Sequence, residues 1–366
     1  MAIVYPPLFS RGACLRRAPI LCAILALVPL WAGAADPSPV RVSGTRRLMG
    51  VAWVVTVYAP TEESGETAVV AALDEVERLD GILSDYRPDS ELSRLSAAAP
   101  TLQPVPVSDE LWSVLIRSVA IREASAGAFD PTVGPLTTLW RQSRRSGMLP
   151  LPGKLAAARA AVGSERLELV AQPRGVVLDR PGIRLDLGGI GMGYAIDRAL
   201  VLLRERGVTR ALIDASGDLG ALGPPPGAEG WKIAIDPLPG TLPEAEAHDR
   251  FILLADAAIT TSGDAHQAVE IAGRRYSHIV DPRTGIGVAG PAAVTVIAPD
   301  ATAADALATA ASVLGAVRGR TLLEGEAGCA GRFIWVEGGS VREVQTSRWP
   351  APRRPSNSQP SPASPD

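Results

Sequence analysis

The sequence is poor in cysteine, histidine and aromatic residues, and basic residues are not in excess. Its 366 residues include three cysteines, three histidines and 4% aromatic residues, with a formal net charge of -3 at pH 7. This charge leaves no basic surface of the kind that nucleic acid requires, so we expect no nucleic-acid partner. The 46% of hydrophobic and 20% of charged residues are typical of a globular protein, and the length indicates one large domain or two.

Long apolar runs are also lacking, since a membrane-spanning helix needs about 20 apolar residues. The longest run, APILCAILALVPLW at residues 18–31, follows several arginines and precedes the small residues AGAAD. This pattern predicts a signal peptide over residues 1–35, cleaved after Ala34 or Ala35. We therefore expect an exported, periplasmic protein, with a retained anchor and inner-membrane association as the alternative.

Cysteine usage agrees with export. Cys14 and Cys22 lie in the predicted signal peptide, so Cys329 alone would remain in the mature chain. No intramolecular disulfide is then possible, and core packing must stabilise the protein in an oxidising compartment. The C-terminal residues 346–366 are rich in proline and serine and are predicted to be disordered. Residues 40–345 remain as the predicted catalytic domain.

Within residues 40–345, short β-type runs alternate with helical patterns without a strict βαβ repeat. This order predicts an α+β fold, in which helices pack on a mixed, mainly antiparallel sheet core. The stretch GAFDPTVGPLTTLW reads as an irregular loop, and GVVLDRPGIRLDLG as a hairpin that turns at residues 180–182. A strand is expected at Met49–Ala59. Helices are expected at Glu66–Leu83, Ser108–Ala124, Tyr194–Arg206 and Ala301–Gly315.

The stretch DLGGIGMGYAID, residues 186–197, places four glycines within six positions. A glycine-rich turn between a strand and a helix can hold a phosphate on its backbone N–H groups. The spacing is not the G-x-G-x-x-G of dinucleotide-binding folds. A purely structural bend explains the glycines equally well at this level.

Histidine is a candidate general base. His248 lies in a polar insertion and His266 follows TTSGDA, whereas His278 precedes the turn DPRTG that begins at Asp281. A base beside an orienting carboxylate could accept a proton from a reacting hydroxyl. A structural role is the alternative for each of these histidines.

Asp305 and Thr309 are four residues apart in a predicted helix, so both side chains lie on one face. A carboxylate and a hydroxyl are oxygen ligands of the kind that Mg²⁺ takes, together with waters and phosphate oxygens. The alternative is a capping box, in which Thr302 caps the helix and Asp305 occupies its third position.

Six stretches in one order carry a resemblance to a known family: GAFDPTVGPLTTLW, DLGGIGMGYAIDRA, ASGDLGALG, TTSGD, YSHIVDPRTG and VTVIAPDATAADALATA. The chain resembles the ApbE-type FAD:protein FMN transferases from about Gly44 to Gly315. The resemblance implies a T-fold-like single domain. It also implies cleavage of the FAD pyrophosphate, transfer of FMN to a threonine of a target protein through a phosphoester bond, and release of AMP, with Mg²⁺ as the cofactor.

The same resemblance assigns roles to residues. His278 would activate the acceptor hydroxyl, with Asp281 as its catalytic neighbour, and Mg²⁺ would be held by Asp305, Thr309 and the carbonyl of Gly189. Many members have lysine at Met192 and glycine at Ser216, so the contacts of that lysine are absent here. The FAD site would be lined by Met49, Tyr86, Ala128, Phe129, Asp130, Asp186, Met192 and Val280.

Two functions of different classes follow. The first is the transferase, whose acceptor protein would carry a threonine in a flavinylation motif and could be a membrane electron-transfer subunit. The second is a flavin-binding protein, or a Mg²⁺-dependent pyrophosphatase that converts FAD to FMN and AMP. A nicotinamide-dependent oxidoreductase fits poorly because the glycine spacing and the acidic ribose-binding position are missing.

Overall fold

An eight-stranded antiparallel sheet is the central element of the fold. Its strands, in spatial order, are β1 (Val40–Leu48), β2 (Val51–Ala59), β5 (Ala211–Ala215), β6 (Asp218–Leu222), β9 (Ala258–Gly263), β13 (Ala292–Ala298), β14 (Ala330–Glu337) and β15 (Ser340–Gln345). Most neighbours in the sheet are also neighbours in the chain, so the sheet is built largely from hairpins.

Smaller sheets flank it. They pair β3 (Leu167–Ala171) with β4 (Arg174–Leu178), β7 (Trp231–Ala234) with β8 (Phe251–Leu254), and β10 (Val269–Ile271) with β11 (Arg274–Val280) and β12 (Gly287–Ala289). The α-helices are α1 (Glu62–Leu83), α2 (Glu91–Ala97), α3 (Asp109–Ala124), α4 (Gly134–Ser146), α5 (Pro152–Ala160), α6 (Gly191–Glu205) and α7 (Ala301–Gly325).

These elements come from a computed structural model that describes residues 38–235, 251–263, 268–289, 292–351 and 353. The predicted signal peptide, with Cys14 and Cys22, lies outside the described residues, as do His248 and His266. Within the described ranges, no helix combines the length and apolar character needed to cross a bilayer.

Helices α1, α6 and α7 cover one face of the large sheet. Alternate residues of β2, such as Val55 and Val57, face a core that includes Val76 of α1, Ala199 of α6 and Leu307 of α7. Burying an aliphatic side chain of this size stabilises a fold by about 1.5–3 kcal/mol. The core therefore supplies the stability that the predicted mature chain cannot take from disulfides.

The mixed helix and antiparallel-sheet class is confirmed, but several local predictions are wrong. The predicted strand Met49–Ala59 begins at Val51, because Met49 and Gly50 form a two-residue hairpin turn with positive φ angles of 48° and 83°. The predicted hairpin at residues 180–182 does not form, since β4 pairs back with β3 instead.

Two helices also differ from prediction. GPLTTLW opens α4 rather than continuing a loop, because Pro135 stands in the first turn, where its missing N–H costs nothing. The predicted helix ending at Gly315 continues to Gly325 after a break at Gly315, whose φ of 74° is not helical.

Residues just beyond the predicted domain boundary at 345 are packed. Trp349 is buried in the cluster formed with Trp231 and Ile252, and the guanidinium of Arg348 donates to the carbonyls of Leu323 and Cys329. The described chain therefore remains attached to the fold as far as residue 351, inside the segment 346–366 that the sequence predicts to be disordered.

Candidate active site

The glycine-rich loop lies directly against the first turns of α7. A Cβ added to Gly189 would stand 2.8 Å from the hydroxyl oxygen of Thr309, and one added to Gly193 would stand 2.2 Å from the carbonyl oxygen of Ala301. The φ angles of these two glycines are not in the left-handed region. They are therefore required by close approach to α7 and not by backbone conformation.

Asp197 of α6 fixes this approach. Its carboxylate accepts hydrogen bonds from the backbone N–H groups of Ala301 and Thr302, each at 2.8 Å, at the start of α7. The N-cap residue of α7 is Asp300, whose carboxylate accepts from the N–H of Ala303 at 2.8 Å. The donors of the first turn are thus satisfied by two aspartates.

This geometry rules out the capping interpretation of Asp305. With Asp300 as the cap, Asp305 is the fifth helical residue and lies beyond the turn that a capping box serves. Its Oδ2 atom instead accepts a hydrogen bond from the backbone N–H of Gly193 at 3.1 Å, across the contact between α6 and α7. Asp305 therefore serves the loop contact and not its own helix.

Asp305 is buried among other carboxylates. The residue is 3% exposed, and the pKa of its carboxyl is raised well above the ordinary value, first by burial and then by the charge of Asp218 and, more weakly, Asp197. Burial likewise raises the pKa of Asp218 to about 7. A cation placed here would relieve both effects, because it favours the charged form of each carboxylate.

The donor set at this point fits Mg²⁺. Asp305 supplies a carboxylate and Thr309 a hydroxyl, and the loop backbone at Gly189 lies against Thr309. Among the described residues, no three or more His, Cys, Asp or Glu side chains cluster as a metal-binding group. Mg²⁺ suits so sparse a set of oxygen ligands because it usually completes its shell with waters and phosphate oxygens.

Asp186, at the head of the glycine-rich loop, is held by α4. Its Oδ2 atom accepts from the hydroxyl of Thr137 at 2.6 Å and from Nη2 of Arg141 at 3.1 Å, and its Oδ1 atom accepts from the N–H of Gly188 at 2.8 Å. Thr137 and Arg141 are one helical turn apart, so they face Asp186 together. The other end of the Arg141 fork, Nη1, donates to Asp85 at 2.5 Å.

Tyr86 stands over the same arginine. Its ring lies 4.1 Å from the guanidinium carbon of Arg141, while 74% of the residue remains exposed. The sequence did not indicate Arg141, because the stretch that directly precedes it reads as an irregular loop and not as the start of a helix. Recognising α4 would have revealed the pair at positions 137 and 141 on one face.

The segment Ala128–Asp130 is buried beside this group. Phe129 packs in the cluster that also contains Leu185 and Leu187 of the glycine-rich segment. The carboxylate of Asp130 accepts from the N–H and the hydroxyl of Thr132 and from the hydroxyl of Ser164. These hydrogen bonds hold the conformation of the segment and so fix where Ala128 and Phe129 lie.

His278 lies in an irregularity of β11. Tyr276 pairs with Ala289 and Val280 with Gly287, so three residues lie between the paired positions on β11 but only one on β12, and His278 lies within the resulting bulge. The indole N–H of Trp140 donates to the carbonyl of Ser277 at 2.9 Å. Bulges commonly redirect a side chain beside an active site, and His278 is here half-buried.

Contacts of its neighbours place His278 relative to the other candidates. Ile279, the next residue, packs with Ala128 and with Val313 of α7. The strand that carries the candidate base therefore lies between the predicted FAD-lining segment and the helix that carries Asp305.

The role predicted for Asp281 beside His278 stays a prediction, and the structure shows a further partner of this carboxylate. The Asp281 carboxylate accepts from the N–H, Nε and Nη2 of Arg283, at 2.8–2.9 Å. Arg283 in turn donates to the carbonyl of Val313. Asp281, through Arg283, therefore fixes the turn after β11 to the end of the first part of α7.

Three further predicted FAD-lining residues are apolar. Met49, in the hairpin turn, and Met192, in the first turn of α6, are half-buried and both pack against the main core. Val280 is buried with Leu136 and Trp140. Because its side chain is committed to that cluster, Val280 can contact a ligand chiefly through its backbone.

Comparisons with known proteins point to one family. The profile of the ApbE family matches residues 49–333. A FAD:protein FMN transferase of Klebsiella pneumoniae (strain 342) is 31% identical over 309 residues, which is 83% of this chain and 87% of that protein. The FAD:protein FMN transferase of Escherichia coli (strain K12) is 29% identical over 332 residues, or 87% of this chain and 93% of that protein.

Solved structures show the same fold. The apo form of the Pseudomonas stutzeri flavinyl transferase ApbE superposes with a TM-score of 0.72 at 29% identity, covering 85% of this chain and 96% of that one. The ApbE protein from Thermotoga maritima superposes with a TM-score of 0.72 at 28% identity, covering 83% and 96%.

Proposed function

From its membership of the ApbE family, which the match over residues 49–333 establishes, we propose that the chain transfers FMN from FAD to a threonine hydroxyl of a target protein. Flavin transfer is the activity for which its relatives are named. The Mg²⁺ requirement, the threonine acceptor and the residue roles are the parts that the proposal adds. The observation that carries it is the contact of the glycine-rich loop with Asp305 and Thr309.

The reaction exchanges the phosphoanhydride bond of the FAD pyrophosphate for a phosphoester bond to the acceptor threonine. The threonine oxygen attacks the phosphorus on the FMN side of the FAD pyrophosphate, the bond to the bridging oxygen breaks, and AMP leaves with that oxygen. The hydroxyl proton is released, and His278 is the group that would accept it. A base at that atom raises the nucleophilicity of the attacking oxygen as the bond forms.

The remaining roles follow from where the side chains lie. Asp305, Thr309 and the Gly189 carbonyl would hold Mg²⁺, which supplies neutralisation of the pyrophosphate charge when it is bound. Tyr86, Asp186 and the segment Ala128–Asp130 would form the wall on which FAD lies. Among the described residues of the glycine-rich loop no lysine or arginine occurs, so the loop itself brings no positive side chain to the phosphates.

Transfer is tested with the chain from residue 36, FAD, Mg²⁺ and an acceptor domain that carries a threonine in an Asp-containing flavinylation motif. We expect the acceptor to gain the mass of FMN less one water, AMP to appear in equal amount, and EDTA to stop both. Mutation of the acceptor threonine to valine is the matched control. Free FMN and AMP without acceptor labelling would indicate the pyrophosphatase, and binding without turnover would indicate a flavin-binding protein.

Export is a separate part of the proposal. The arginine-rich start, the short apolar run and the AGAAD stretch support cleavage of residues 1–35 and a periplasmic location. We expect N-terminal sequencing of the protein from fractionated cells to begin at Ala35 or Asp36. A periplasmic or membrane-bound protein that still begins at Met1 would contradict cleavage and favour a retained anchor.

A further inference from the structure

Arg141 joins two buried carboxylates and one exposed aromatic ring. Asp85 is 6% exposed and Asp186 is 7% exposed, and the charge of Asp186 is one cause, after burial, of the raised pKa of Asp85. Arg141 donates to both and opposes that shift. A cation placed between buried carboxylates favours their charged forms.

The exposed ring of Tyr86 is also in contact with the guanidinium of Arg141. A tyrosine that is 74% exposed has few packing contacts to restrain its rotamer, and a guanidinium 4.1 Å below one face supplies a directional contact. Arginine stacks on aromatic faces while its edge still donates hydrogen bonds. The geometry therefore gives Tyr86 a fixed support and leaves most of its surface open to solvent.

We propose that Arg141 is a positioning residue of the flavin site, a role that rests on the proposed function. Its guanidinium holds the Tyr86 ring as a platform on which one planar ring of FAD stacks. The same fork ties that platform to Asp186 and, through the N–H of Gly188, to the glycine-rich loop. One side chain of α4 thus sets the distance between the ring-binding and the phosphate-binding parts of the site.

Lysine could not replace it. The planar fork reaches Asp85 with Nη1 and Asp186 with Nη2 while its face lies on Tyr86. An ammonium is a point charge on a flexible stem, so it can neutralise the carboxylates but cannot meet all three partners in one geometry. Arginine and lysine at position 141 would therefore differ in the shape of the cation and not in its charge.

The test measures FAD affinity by calorimetry in the chain from residue 36, using Tyr86→Ala, Arg141→Met and the double variant. We expect each single change to weaken FAD binding about tenfold and the double variant to bind no more weakly than either single one. Transfer assays should show a higher KM for FAD with kcat nearly unchanged. Arg145→Met, the same change at an exposed position of α4, should bind FAD as the wild type does.

Arg141→Lys provides the second variant, because Arg141→Met leaves two buried carboxylates without their cation and can disturb folding. We expect Arg141→Lys to retain the apo melting temperature more closely while still losing FAD affinity several-fold. Titrations with FMN and with AMP then show which half of FAD stacks on Tyr86, since affinity for that half alone should fall.

Two outcomes would overturn the inference. Fully additive losses in the double variant would mean that Arg141 and Tyr86 act independently, and wild-type affinity in Arg141→Lys would mean that only the charge matters. A wild-type chain that binds no FAD at all would refute the proposed function itself, which is a different result from equal binding by wild type and variants.

Discussion

Asp305→Asn should abolish FMN transfer, with a loss of about 10³-fold or more, because a metal ion supplies several kcal/mol of charge stabilisation to a reacting phosphate. Asparagine is nearly isosteric and its carbonyl oxygen can still accept from the N–H of Gly193, so the contact between α6 and α7 is kept. The variant removes one negative charge and little else. Transfer is followed by acceptor mass and AMP release at saturating FAD.

The same substitution should not weaken the apo protein. Burial raises the pKa of Asp305 in the folded state, so folding disfavours its ionised form and this residue's contribution to stability falls as pH rises above its unfolded-state pKa. At neutral pH without a cation, the Asp305 carboxyl group therefore lowers the free energy of unfolding, and asparagine does not have this effect. We expect an unchanged or higher apo melting temperature, and a much smaller rise when Mg²⁺ and FAD are added together.

Asp300→Asn is the matched control. It makes the same exchange five residues earlier in α7, at the N-cap, where asparagine caps as well as aspartate. This variant should keep both transfer and the stabilisation by Mg²⁺ with FAD. Transfer at the wild-type rate in Asp305→Asn would show that the buried carboxylate is not a metal ligand.

Thr309→Val gives a graded version of the same result. A neutral hydroxyl contributes less to a divalent cation than a carboxylate does, so a partial loss of activity is expected. Because valine has the shape of threonine, its contact with the loop at Gly189 is preserved. A loss as complete as that of Asp305→Asn would point to steric damage of the loop.

The class of the fold was readable from the sequence because hairpins and amphipathic helices carry local signals. Ser90 and Ser108, each with a side chain that accepts from a backbone N–H of the following first turn, are such signals. The partner of β4 was assigned wrongly because β3, its true partner, precedes it across a two-residue turn and lies outside the stretch GVVLDRPGIRLDLG from which the hairpin was predicted.

The site was predictable where motif and chemistry coincide and not where tertiary contacts decide. Asp305 and Thr309 were found from helical spacing, but the choice between a metal ligand and a cap needed the position of Asp300. Asp281 was chosen for its proximity to His278 in the sequence, which did not indicate its ion pair with Arg283. Arg141 was missed because α4 begins within a proline-containing stretch.

The glycines of the loop show the same limit. Glycine-rich sequence indicates that backbone comes close to something, and a phosphate is the usual inference. In this chain Gly189 and Gly193 come close to Thr309 and Ala301 of α7. The close approach of these glycines therefore serves the contact between α6 and α7, and this contact alone explains why glycine stands at both positions.

His278→Ala should lower the rate of FMN transfer by about 10²–10⁴-fold while leaving FAD affinity nearly unchanged. A general base acts on the reacting hydroxyl and contributes little to binding of the dinucleotide before attack. Trp140 holds the bulge through its hydrogen bond to the carbonyl of Ser277, so removing the imidazole should leave the strand in place. Single-turnover transfer and FAD titration measure the two quantities separately.

His278→Gln separates a base from a structural hydrogen-bonding group. Glutamine can donate and accept hydrogen bonds but cannot take a proton at neutral pH, so it should be as slow as alanine if His278 is the base. Arg274→Ala, on the same strand at an exposed position, should transfer FMN at the wild-type rate. A fast glutamine variant would instead assign His278 to the architecture of the bulge.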